Sequence, residues 1–200
     1  MSQKEFWNSK FSREGYLYGK KPNAFLVSCS SNFKKNQRFL CLGEGEGRNA
    51  IYFAKRGHEV VALDASDVGL QKLQEHAKEH NVEVKTRCVD LNEWEPSKKY
   101  GTIVASFLHM YENERKALFD KIDSCLKSEG FFVGEFFSKN QLNYSSGGPK
   151  DIDLLYSVDD FLDNFPTCTK HKVSEEIVEL DEGSGHQGTA SVIRVIIQKN

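Results

Sequence analysis

The sequence predicts a doubly wound α/β domain closed by an antiparallel pair of strands, and three observations carry that reading. From Arg38 onward, strand-like segments alternate with helix-like ones, the pattern of a parallel sheet covered by helices on both faces. The first strand, Arg38–Leu42, runs straight into Gly43-Glu44-Gly45-Glu46-Gly47 and then a helix. That layout brings bare backbone against a nucleotide-like ligand. The last two strand-like runs, Lys172–Leu180 and Thr189–Gln198, have no helix between them and so read as antiparallel neighbours.

The elements follow in order. Glu5–Glu14 is a short amphipathic helix with Phe6, Trp7 and Phe11 on its apolar side, followed by the turn-rich Tyr16–Asn23. Pro22, its φ already near the helical value, is expected in the first turn of a second helix ending at Cys29. Arg48–Arg56 is a helix with Gly57 as its C-terminal glycine, and Glu59–Asp64 is the second strand. Ser66 caps a helix running to His80, where Asn81 supplies a left-handed exit. Val82–Val89 and Tyr100–Phe107 are the third and fourth strands, Asn113–Leu126 a helix, Gly130–Phe137 the fifth strand, and Ser157 caps a short helix through Asn164. Asn143–Pro149 reads either as a mobile lid or as a solvated connection, and Asp181–Gly188 as the loop of the closing hairpin. With no internal repeat and no Pro-rich linker, the 200 residues read as one domain: a segment 1–36 ahead of an α/β core 37–200.

Composition removes the main reason to propose several classes of function, without excluding a nucleic-acid substrate. The net charge is −2 with Lys and Arg dispersed, so neither a nucleic-acid groove nor an anionic membrane surface is indicated. The five cysteines are odd in number and lack a C-x-x-C pair, which fits reduced thiols in the cytoplasm better than a disulfide frame. No secretory signal and no long apolar run is present, so no membrane span is expected.

The acidic residues of the glycine turn decide the ligand. Backbone N–H groups in such a turn suit an anion, but Glu44 and Glu46 would repel one, by about 4 kcal/mol for like charges ~4 Å apart at an effective dielectric of ~20. An adenosine-like but cationic ligand is preferred, and S-adenosylmethionine meets that description. Arg48 stands where a dinucleotide turn would carry its third glycine. Asp64, at the end of the second strand, is placed to accept both ribose hydroxyls; its alternative role is capping the next helix beside Ser66. After the third strand, Asp90 is suited to an adenine amino group and Leu91 to the ring, unless Asp90 serves as a turn residue. Ser106, Phe107 and Leu108 end the fourth strand, with His109 towards a substrate. Phe25, Phe107, Tyr18 and Tyr144 are candidates for an aromatic lining that faces a sulfonium. His186, in the hairpin loop, is a candidate substrate contact. His76 and His80 have metal-ligand spacing, but a helix surface without a third ligand argues against a metal. The catalytic candidates are thus His109, His186, Tyr18 and Tyr144, with none decisive.

Leu40–Gly47, Val61–Asp64, Val89–Leu91 and Leu126–Gly130 together resemble the motifs of class I S-adenosylmethionine-dependent methyltransferases, over nearly the whole chain. The resemblance implies a seven-stranded, mostly parallel Rossmann-like sheet whose last strand is antiparallel. Phe6-Trp7, Tyr16–Asn23 and Gly47–Ala50 are similar to the small tellurite-resistance and thiopurine methyltransferase-like group, and Glu182–Arg194 to the tail of some members. In that group the N-terminal segment covers the cofactor, which implies roles for Tyr18, Asn23, Arg48, Asn49, Ala65 and Ser66 beside the glycines, Glu44, Asp64, Asp90, Leu91, Ser106 and Phe107. Cys41 departs from the acidic residue that many class I enzymes carry two positions before the first glycine, so Glu44 or Glu46 is expected to face the methionine ammonium instead.

The expected reaction is methyl transfer to a small nucleophile, a thiol or a metalloid oxyanion, by a cytoplasmic monomer or homodimer without nucleic-acid or membrane partners. Alignment of the reactants is worth ~7–11 kcal/mol of barrier, and such nucleophiles need no base. Two rivals remain at this level: an S-adenosylmethionine sensor without activity, and an NAD-dependent oxidoreductase.

Overall fold

The computed structural model describes residues 2–200. Its elements are α1 (Gln3–Phe11), α2 (Ala24–Cys29), β1 (Arg38–Leu42), α3 (Arg48–Lys55), β2 (Glu59–Asp64), α4 (Asp67–Glu79), β3 (Val84–Cys88), β4 (Tyr100–Ser106), α5 (Glu112–Cys125), β5 (Leu126–Phe137), α6 (Asp159–Leu162), β6 (Cys168–Glu182) and β7 (His186–Lys199). The strands form one seven-stranded sheet in the order β3-β2-β1-β4-β5-β7-β6. All neighbours run parallel except β7, which lies antiparallel between β5 and β6. The order reverses between β1 and β4, so a crevice opens beyond the carboxyl ends of these two strands, where open α/β sheets bind ligands.

The side-chain period of two explains why β1 is apolar throughout. Phe39 and Cys41 enter a cluster with Phe53, Leu70 and Leu73 from α3 and α4; Leu40 and Leu42 enter the opposite cluster with Ile103, Phe119 and Phe132. Both faces of the central strand are therefore sealed, and the glycine turn that follows it starts from a rigid base. None of the helices among the described residues is long and apolar enough to cross a membrane.

Several boundaries differ from the sequence expectation for identifiable reasons. The second helix begins after Pro22, because Asn23 takes the N-cap position and its side chain accepts from the Leu26 amide. The first helix starts earlier, where Ser2 and Glu5 form a capping box. The short helix after Ser157 is only Asp159–Leu162.

The segment Asn143–Pro149 is not a lid over the crevice. Gln141 donates to Ser146 Oγ and to the Gly147 carbonyl, and the Ser146 carbonyl accepts from Gln187, which fastens the segment to the start of β7. The closing hairpin is tighter than expected. Both strands extend to a turn of only Gly183-Ser184-Gly185, with Gly183 at φ +61°, so Glu182 and His186 become register partners.

Arg115 of α5 is buried and ties the connection after β5 to that helix. Its guanidinium donates to the carbonyls of Met110, Asp153 and Leu155 and to Asp160 Oδ2, and it lies 4.0 Å from the Tyr156 ring centroid. Arg115→Ala is expected to cost about 3 kcal/mol, since it strands a partly buried carboxylate and several carbonyls. Urea unfolding checks this; a loss below about 1 kcal/mol, the range of an exposed pair, would contradict it.

Candidate active site

The crevice beyond β1 and β4 is a cleft of about 830 Å³, part of it open to solvent. Its floor is the glycine turn. Gly43, Gly45 and Gly47 all have left-handed φ (+59°, +57°, +93°), a conformation closed to most side chains. At Gly45 the constraint is also steric, and from an unexpected side. A Cβ there would stand 2.8 Å from the Phe11 ring, so this glycine lets α1 pack down onto the turn.

The two acidic residues between the glycines do different jobs. Glu44 Oε1 accepts from the Asn49 and Ala50 amides at 2.8 and 2.7 Å, capping α3 from inside the turn. The helix head, where an anion would otherwise sit, thus already holds a carboxyl group. Burial pushes the Glu44 carboxyl up to about 7, against the pull of those amides and Arg48. Glu46 accepts from the Leu17 amide at 2.7 Å and from Lys72 Nζ at 3.0 Å, so it anchors the N-terminal segment and is neutralised there. Both carboxyl groups line the cleft while also serving the fold: Glu46 has one bond on each oxygen, and Glu44 has both of its bonds on Oε1.

Asp64 stands at the end of β2 on the cleft wall. Its Oδ2 accepts from the Gly45 amide and Oδ1 from the Ser66 amide, one bond each, which leaves every oxygen a further lone pair. Burial raises its carboxyl to about 6, with those two amides opposing. Asp90 and Leu91 line the same wall beyond β3; Asp90 also accepts from the Asn92 amide, so the turn role and the cleft position coincide. At the end of β4, Ser106 accepts from Asn49 Nδ2, and Phe107 takes φ +51°, a strained value for a bulky residue. His109 lines the cleft with Nε2 buried and unpartnered, and burial drives its pKa down to about 3.

The remaining wall joins elements distant in sequence. Arg48, at the start of α3, donates from Nη2 to Glu182 Oε2 at 2.8 Å, while its buried Nη1 has no partner. Asn23 Nδ2 donates to Glu182 and to Glu135, and Glu135 accepts from Arg194. The hairpin turn packs on residues 17–19: the Gly185 amide donates to the Leu17 carbonyl, and the Tyr18 ring lies 4.3 Å from His186.

The cleft brings together Tyr18, Gly43, Glu44, Gly45, Glu46, Gly47, Arg48, Asn49, Asp64, Ala65, Asp90, Leu91, Ser106, Phe107, Leu108, His109 and His186 from the sequence candidates. Four candidates lie elsewhere. Asn23 is buried behind the wall, as the hub just described. Ser66 caps α4 by accepting from the Gly69 amide and donates to Asn8. Tyr144 belongs to a separate depression with Asn140, Glu175 and Ile177. Phe25 is also off the site, packed in the core under the Arg194 guanidinium. Trp7, Phe11 and Met110 line the cleft and Glu182 supports it, roles that sequence reasoning missed. The available signal was α1's aromatic side, which has no core of its own to fill.

Residues 39–130 match the family described as "Methyltransferase domain". A 79-residue stretch is 28% identical to the probable S-adenosyl-L-methionine-dependent methyltransferase TehB of Haemophilus influenzae, and takes in 40% of this chain but only 28% of that protein's length. The crystal structure of TehB from H. influenzae matches with a TM-score of 0.75 at 15% identity, over 100% of this chain and 68% of that one. A protein solved for the conversion of a disulfide bond into a thioacetal group during echinomycin biosynthesis matches at 0.81 and 14% identity, over 100% and 92% of the two chains. The N-methyltransferase NodS of Bradyrhizobium japonicum, solved with S-adenosyl-L-homocysteine, matches at 0.74 and 10%, over 100% and 99%. At these identities the solved structures speak for the fold alone. Domain match, sheet order and antiparallel last strand agree: residues 39–130 carry the methyltransferase-domain match, and they lie within the seven-stranded fold that the chain shares with S-adenosylmethionine-dependent methyltransferases such as TehB.

Proposed function

We propose that the protein transfers a methyl group from S-adenosylmethionine to a small-molecule nucleophile. The observation that carries this reading is Glu44 on the amides of α3. A dinucleotide would deliver its diphosphate to that helix head, and a buried carboxylate already holds it. The same acidic floor suits a ligand with a sulfonium and an ammonium.

The residues present fit such a donor. Asp64 would hold the ribose hydroxyls with its spare lone pairs; Asp90 and Leu91 would hold the adenine. Arg48 Nη1, buried and without a partner, would bind the carboxylate of the methionine moiety. Tyr18 and the first 36 residues would cover the donor, with Trp7 and Phe11 excluding water. When bound, the sulfonium supplies an activated methyl group, so the protein's own task is orientation. An acceptor that is small and carries no large charge suits the aromatic and aliphatic side of the cleft, a thiol better than an oxyanion that would face Glu44, Asp64 and Asp90. A cytoplasmic setting belongs to this reading, since all five cysteines are free. Calorimetry with S-adenosylhomocysteine and with NADH tests the donor class: binding of the first alone is expected, and tight binding of NADH would overturn it.

Asp64→Ala is expected to weaken S-adenosylhomocysteine binding about 10²-fold, the value of two charge-assisted hydrogen bonds at ~1.5 kcal/mol each. It should also lose about 1–3 kcal/mol of stability by leaving the Gly45 and Ser66 amides without acceptors, with the far-ultraviolet circular dichroism retained. Unchanged affinity would remove Asp64 from the site.

The pH dependence has a definite sign. Asp64 and Glu44 hold their protons up to about 6 and about 7 in the folded protein, above the ordinary carboxylate range. The folded state therefore binds more protons than the unfolded state across that interval, and these two groups make stability fall as pH rises from about 4 to 7. A ligand that donates to the ionised carboxylates does the reverse: its affinity climbs over pH 5–7 and levels off above, with proton release on binding. Calorimetry in buffers of different ionisation enthalpy reads both, and a flat affinity over that range would contradict the assignment.

A further inference from the structure

We propose that His186, oriented by Glu182, is the general base of this cleft, and that the acceptor it serves is a small uncharged thiol that arrives protonated. This rests on the methyl-transfer reading above and replaces its assumption that no base is needed.

The dyad is made by the hairpin turn. Because only Gly183-Ser184-Gly185 separate the strands, Glu182 and His186 stand opposite each other, and Glu182 Oε2 lies 3.3 Å from His186 Nδ1. Glu182 cannot turn away, since Arg48 Nη2 and Asn23 Nδ2 donate to it at 2.8 and 3.0 Å. Burial works against its ionisation, yet the His186 hydrogen bond and the Arg48 guanidinium prevail and hold the carboxyl down at about 2. An ionised carboxylate only accepts, so Nδ1 must carry the imidazole proton, and Nε2 keeps a lone pair.

The ring itself is fixed. It packs within 4.3 Å of Tyr18, 4.5 Å of Phe107 and 5.0 Å of Phe137, centroid to centroid, and borders the cleft. Burial lowers its pKa from the ordinary value, against the Glu182 hydrogen bond and charge, so the imidazole is neutral and ready to accept. Of the other groups facing it, Tyr18 stays protonated, pushed up to about 12 by burial, and Arg48 is already paired with Glu182. The strained φ of Phe107 has a use in this arrangement, since it turns that ring against His186.

His109 is the alternative base and is the poorer one. Its Nε2 is buried without a partner, and among the described residues no carboxylate bonds to either nitrogen, so a proton accepted there would leave an uncompensated buried charge. An imidazolium at His186 has the Glu182 carboxylate at hydrogen-bond distance.

The class of acceptor follows from proton affinity. Ordinary values are about 6.5 for imidazole, about 8.5 for a thiol and about 10 for a phenol, so the thiol is the nearest match to this base. In the step, the S–H bond breaks and its proton passes to Nε2. The electron pair left on the thiol sulfur becomes the new S–CH3 bond, while the pair of the donor's broken C–S⁺ bond stays with the donor sulfur as a thioether. The proton then leaves Nε2 to water.

Three measurements on the full chain decide the matter. Long-range ¹H–¹⁵N spectra of histidine-labelled protein should show His186 with its proton on Nδ1 and Nε2 bare at pH 7; a proton on Nε2 overturns the proposal. With labelled S-adenosylmethionine, His186→Gln should slow methylation of 2-mercaptoethanol, which is protonated at neutral pH, by on the order of 10²-fold or more. The loss on thiophenol, already largely a thiolate, should be at least about tenfold smaller. Equal losses on the two thiols overturn the base. If His186→Gln does not fold, Glu182→Gln should lower the His186 pKa and move the acid limb of the rate profile to lower pH; an unmoved limb counts against the dyad. Wild-type protein that binds S-adenosylhomocysteine but methylates neither thiol overturns the acceptor class, whereas failure to bind S-adenosylhomocysteine overturns the methyl-transfer reading itself.

Discussion

The structure depends on one buried carboxylate, Glu44, bonded to the first free amides of α3. A helix that begins directly after a glycine turn exposes several N–H groups and the positive end of its dipole. In this chain the turn supplies its own carboxyl group, which closes the helix head from within, beside the left-handed Gly43, Gly45 and Gly47. The consequence for function is subtractive. The α3 amides that would seat a ligand anion are already occupied, and the proposed reading accordingly relies on cation, sugar and ring.

A second constraint builds the opposite wall. Arg48, on the same turn as Glu44, reaches across to Glu182, and Asn23 joins Glu182 to Glu135 and through it to Arg194. Four buried polar side chains thereby link the N-terminal segment, α3, β5 and the closing hairpin. A half-satisfied network of this kind would cost more than an apolar core, and here only Arg48 Nη1 lacks a partner. One guanidinium thus serves two ends: Nη2 holds the hairpin, and Nη1, buried without a partner, is the atom that the proposed reading gives to the donor's carboxylate.

Much of this was legible in the sequence, and the reasons are local. The seven strand-like runs, Gly57 as a helix stop and Asp64 at a strand end follow from period, turn chemistry and spacing, all short-range effects. What was not legible depends on distant pairs. Glu46 lines the cleft as expected, but nothing in the chain announces that Leu17 and Lys72 will also bond to it. Tyr144 and Phe25 looked like pocket residues because aromatic character alone does not say which side of a sheet edge they reach. The hairpin was read with an eight-residue loop, Asp181–Gly188, since its flanking residues are polar; register pairing instead carries the ladder to Glu182 and His186 and creates the dyad. The glycine at 45 was expected to make room for ligand, and the structure adds a protein reason, the Phe11 ring.

The crystal structure of this protein with S-adenosylhomocysteine tests the central claim most directly. The account expects the sugar hydroxyls on Asp64, the amino-acid carboxylate towards Arg48, and Glu44 still bonded to the Asn49 and Ala50 amides. Density showing Glu44 swung off the helix, with a ligand anion seated on those amides, would contradict it.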